Sequence, residues 1–131
     1  MRSTRSPRTR FAPVHYSRRE HEKPLRDLLV NLPYLQTSAS GGLNMLGSSQ
    51  TVVLQIAEQA EACAQALSLG IAAVGTLIPY AAPEIEDGTV PMGTVEAVGW
   101  LLSELGEVAA ACTVLAAECR QARSIPGGEQ P

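Results

Sequence analysis

The sequence predicts an all-α fold, and three of its features do so. Apolar residues recur in steps of three and four along two stretches of about thirty positions, which is the helical period. Proline- and glycine-rich segments at 79–93 and 126–128 bound those stretches. Aromatic residues make up only 4% of the 131, and alanine is plentiful, so burial depends on close packing of many small side chains. The expected architecture is a long antiparallel helical hairpin, about 49–78 and 94–123, with a short helix at about 24–32. Because the hairpin's apolar faces are too wide to hide from water alone, assembly into a helical bundle is expected.

Residues 1–22 read as a disordered basic arm, 23–124 as one helical domain and 125–131 as a disordered tail. One domain is all this length supports, since a useful core takes most of the hundred-odd remaining positions. Arg, Ser, Thr and Pro dominate the first sixteen residues with too little apolar content to fold alone. Eight of the ten basic residues fall in the first 26 positions against Glu20 and Glu22, a net of +6; the remainder has two bases against eleven acids, a net of −9. The overall −3 is therefore a cationic arm on an anionic body.

A short helix is expected from Pro24, where proline suits the first turn. Leu25, Leu28, Leu29 and Leu32 then share a face until Pro33 stops it. Leu25, Leu28 and Leu29 also have the spacing of a one-turn stripe for a partner's groove, but folding back onto the body is the expected use. Residues 36–49 read as a linker ending in serines suited to a helix N-cap. Their glycines only faintly echo a phosphate-binding loop, lacking both the lysine and a preceding strand.

The first long helix is expected from near Ser49, its seam carried by Val53, Ile56, Ala60, Cys63, Leu67, Ile71, Val74 and Leu77. Gly70 and Gly75 each cost about 1 kcal/mol relative to alanine there, which predicts either a kink or a close backbone approach. An acidic turn with Glu84, Glu86 and Asp87 should follow. The second helix carries a regular heptad of Val95, Val98, Leu102, Leu105, Ala109, Cys112, Ala116 and Cys119, widened by Leu101, Val108 and Leu115. Arg120 and Arg123 suit its C-terminal dipole. Its alanine and cysteine layers predict a closer helix approach there than at the leucine layers.

Residues 62–83 carry no charge and reach the length of a membrane span. Their shortage of Leu, Ile and Phe, with Gln65 and Ser68 inside, argues against one. No apolar core of a signal peptide occupies the first twenty residues, and Pro7 and Pro13 would break the helix of a mitochondrial presequence. Three cysteines, an odd number, fit unpaired thiols in a reducing compartment, so the cytoplasm is expected.

Chemistry is sparse. His15 and His21 lie in the arm, far in sequence from Cys63, Cys112 and Cys119, and no metal-ligand spacing occurs, so neither metal nor cofactor is expected. Cys112 and Cys119 are expected to pack. Glu104, Glu107 and Glu118 read as a solvated face without a histidine base, and no enzyme is expected. The arm remains the candidate site: Arg8, Arg10, Phe11, Tyr16, Arg18 and Arg19 interleave guanidinium groups with rings, as single-strand binders do. The reading is a non-enzymatic interaction protein that oligomerises through its hairpin and engages nucleic acid or an acidic protein with the arm. Two alternatives stand beside it: an accessory or inhibitor protein of a mobile element acting through its acidic body, and a small membrane protein.

Overall fold

The computed structural model describes residues 23–124. The fold is all-α, with two long helices packed antiparallel and a short helix laid across one side. In order, α1 spans Pro24–Asn31, β1 Gln36–Thr37, β2 Leu43–Asn44, α2 Gln50–Leu77, α3 Ala82–Glu86 and α4 Met92–Ser124. Single turns of 3-10 helix, Leu32–Tyr34 and Ile78–Ala81, follow α1 and α2. At about 1.5 Å per residue, α2 and α4 are rods of roughly 42 and 50 Å.

α1 begins at Pro24 and packs on α2 mainly through Leu28, which is buried, and Leu32, which is partly so. Leu25 and Leu29, expected to bury with them, stay 41% and 58% exposed. Asn31 fixes the helix end by donating its side-chain amide to Gln59 Oε1 on α2 at 3.0 Å.

The segment expected to be a linker is instead a small antiparallel ladder pairing Gln36 with Asn44 and Thr37 with Leu43. Ser48 anchors it: its hydroxyl accepts from the Gln36 backbone N–H at 2.9 Å and donates to the Asn44 carbonyl at 2.7 Å. Because one hydroxyl meets both needs, Ser48 is buried without an unsatisfied polar atom. A Cβ at Gly47 would collide with the Asn44 side chain, so glycine lets the chain close there. Ser49 is extended and precedes α2, but its side chain makes no cap bond.

α2 is helical throughout, without the break its glycines allowed, and a Cβ at Gly70 or Gly75 meets nothing within 4 Å. The acidic turn contains more order than expected, a 3-10 turn and the five-residue α3. It closes at Gly88, whose φ of +81° suits glycine, and α4 begins at Met92, two residues early.

The core fills only one half of the hairpin. Val53, Ile56, Ala57, Ala60 and Cys63 of α2 pack with Cys112, Ala116 and Cys119 of α4, and Leu28 and Leu35 close the cluster. Beyond Cys63 no α2 residue is buried, and before Ala109 no α4 residue is. Among the described residues the fold is thus a packed half, held by α1 and the ladder, and a bare half in which α2 and α4 run on to the short α3 at the tip.

Candidate interaction surfaces

The expected arm residues Arg8, Arg10, Phe11, Tyr16, Arg18 and Arg19 lie outside the described residues. The expected seam splits in two. Ala109, Cys112, Ala116 and Cys119 are buried against α2, whereas Val95, Val98, Leu102 and Leu105 are only half-buried. Small side chains occur where the helices are covered, and the bulkier ones lie where cover is missing. The widening residues Leu101 and Val108 are 56% and 37% exposed.

The bare half presents Leu69, Leu77, Ile78, Tyr80, Met92 and Trp100, all exposed. Trp100 is the chain's only tryptophan and is 74% exposed. Burying apolar surface releases roughly 25 cal/mol per Å², so leaving so many large side chains in water is costly to the isolated chain. Both long helices include a stretch long and apolar enough to cross a membrane by length and composition alone.

At the border of the two halves a groove of about 590 Å³ opens between α1 and α2. It is lined by Leu25, Leu29, Val30, Cys63, Ala66 and Leu67 together with the exposed Lys23 and Arg26, and none of its described lining residues is acidic. The far tip has the opposite charge. From Ile78 to Pro91 it carries Glu84, Glu86 and Asp87 with no base. Asp87 accepts the Thr89 backbone N–H at 2.8 Å, and its bonds to Thr89 hold its carboxyl below the usual range. Every described base, Lys23, Arg26, Arg120 and Arg123, belongs to the packed half.

Arg120 forms a two-pronged ion pair with Glu61 of α2, with one prong, Nη1 to Oε1, at 3.2 Å. Hydrogen bonding and then charge attraction lower the Glu61 pKa and raise that of Arg120. The pair links α2 to α4 beside the core instead of merely serving the helix dipole, and heptad spacing alone gave no sign of it.

The cysteines are free and buried. Burial, then hydrogen bonding and charge from the neighbouring Cys63, push the Cys112 thiol up to about 11. Cys119 is also raised, by burial and then by Glu118, and its thiol donates to Met45 Sδ at 3.8 Å. Raised thiols hold their protons and make poor nucleophiles or metal ligands at neutral pH. Among the described residues, no three His, Cys, Asp or Glu side chains gather where a metal ion could be held. Glu104, Glu107 and Glu118 are all exposed. The chemistry on display is that of surfaces: an apolar flank, a cationic-rimmed groove and an acidic tip.

No protein-family model matches the chain, and no curated protein or solved structure matches it either.

Proposed function

We propose that the protein is a non-enzymatic, cytoplasmic interaction module that self-associates through its helical hairpin and engages an anionic macromolecule with its basic N-terminal arm. The observation that carries this is the bare half of the hairpin, where Leu69, Leu77, Ile78, Met92 and Leu101 face water. An apolar surface this extended marks a contact site in a protein of this size. A second copy supplies cover of the same length and character, and closed homo-oligomers are the commonest way such faces are covered. Rings and guanidinium groups in the arm, Phe11 and Tyr16 among Arg8, Arg10, Arg18 and Arg19, suit nucleic acid, and their charge suits any polyanion. Light scattering on the purified chain tests the first part, and a pull-down with and without nuclease tests the second. A compact monomer at micromolar concentration rejects self-association. Recovery of an acidic protein despite nuclease moves the arm's partner from nucleic acid to protein.

A membrane reading has one observation in its favour: two long apolar helices with every described base on one half and an acidic tip on the other, the asymmetry of a hairpin whose ends stay on the cytoplasmic side. Against it, Glu104 and Glu107 sit near the middle of α4, where an acidic side chain in hydrocarbon costs roughly 2.5–3.5 kcal/mol. Fractionation decides between the two, and a blue shift of Trp100 emission on adding lipid vesicles would favour the membrane.

A further inference from the structure

We propose that two copies of this chain associate antiparallel, the acidic tip of each hairpin seated in the cationic-rimmed groove of the other. This rests on the self-association proposed above and adds its geometry. Charge complementarity argues for it first. The groove offers Lys23 and Arg26 around an apolar floor of Leu25, Leu29, Val30 and Leu67. The tip offers Glu84 and Glu86, both exposed, beside the exposed Ile78 and Tyr80. Between Asp27 and Glu118 the chain has no base, so among the described residues the tip has no cationic partner within its own half.

Symmetry allows the contact to close. Leu67 in the groove and Ile78 at the start of the tip are eleven residues apart, about 16 Å along the helix at 1.5 Å per residue. A two-fold axis midway between them places each tip at the other groove. The same operation lays the bare half of one hairpin along the bare half of the other. The overlap is thus confined to the segment that the described residues leave uncovered, while α1 and the ladder close each end. A contact of this kind is self-complementary, as a two-fold interface has to be.

A charge swap on the full chain tests the proposal. One variant carries Glu84→Lys and Glu86→Lys, leaving Asp87 to hold its bond to Thr89; the other carries Lys23→Glu and Arg26→Glu. Each alone places like charges together at both contacts, and the dissociation constant measured by sedimentation equilibrium at low salt is expected to rise roughly tenfold or more. An equimolar mixture of the two pairs opposite charges at both contacts and is expected to associate about as well as the wild type. All four side chains are exposed, and unchanged helicity by circular dichroism confirms that folding is intact. Self-association that ignores both variants, or a mixture as weak as its components, overturns the tip-in-groove arrangement and leaves self-association standing. A monomeric wild type overturns both.

Discussion

Cys112 meets Cys63 across the packed half of the hairpin, and its proton is what the environment protects. The ordinary thiol value is 9.0 and the folded value is about 11, so the folded chain binds this proton more tightly than the unfolded chain does. Stability drawn from that difference is complete below pH 9 and is lost as pH rises toward 11. The midpoint of thermal unfolding is accordingly expected to fall across pH 9 to 11, and to fall less in Cys112→Ala. Equal falls in both proteins would count against the buried, protonated thiol. Removing larger aliphatic groups from cores costs about 2–5 kcal/mol, and the smaller Cys112→Ala and Cys119→Ala changes should cost less than that in urea unfolding. Stoichiometric zinc in the purified protein, lost on either change, would overturn the packing role. Burial of these cysteines was legible in the heptad, because a small apolar residue at a seam position buries whenever the seam is covered. Their neighbours were not: Cys63 and Met45 are distant in sequence and reach Cys112 and Cys119 only through the fold.

Helix periodicity made α2 and α4 readable to within two residues at their starts, since thirty positions of consistent spacing average out local ambiguity. Short elements carry no such signal. Two-residue strands at Gln36–Thr37 and Leu43–Asn44 form because Ser48 satisfies both of their ends, a tertiary bond with no local signature. α3 has five residues and likewise lacked a period to read. Periodicity also cannot say whether a seam is covered: Val98 and Cys112, two heptads apart, occupy the same heptad position, yet one is half-exposed and the other buried. What distinguishes them is α1 and the ladder, which stabilise only one half. The glycines of the long helices yield an element-scale prediction. A Cβ at Gly75 or Gly99 meets nothing within 4 Å, so alanine there adds helix propensity without a clash. Gly75→Ala and Gly99→Ala should each raise stability by roughly 0.5–1 kcal/mol in denaturant unfolding at concentrations below association. Destabilisation at either site would mean that a close backbone contact exists there in solution.

At the scale of the whole molecule, charge and cover are arranged together. The four described bases lie on the half that is packed, and the tip of the bare half is acidic, so the proposed assembly and the proposed polyanion binding would compete for some of the same charges. Binding through the arm should show that competition in its salt dependence. Each phosphate neutralised contributes about −0.9 to the slope of log K against log salt on duplex, or about −0.7 on a single strand. With all eight bases from Arg2 to Arg26 engaged, the slope per copy approaches −6 to −7, and anything much steeper requires Arg120 and Arg123 as well. If the tip of a second copy occupies Lys23 and Arg26, six bases remain and the slope flattens to about −4 to −5 per copy. Measured on the wild type above and below its association concentration, the slope is therefore expected to steepen on dilution. Replacing Arg8, Arg10, Arg18 and Arg19 by alanine should flatten it at both concentrations without changing helicity. Phe11→Ala and Tyr16→Ala should weaken single-strand binding by roughly 1–3 kcal/mol per lost stacked base and leave the slope nearly unchanged. A slope indifferent to the four arginines would show that the arm does not carry the binding, and attention would then pass to the acidic body.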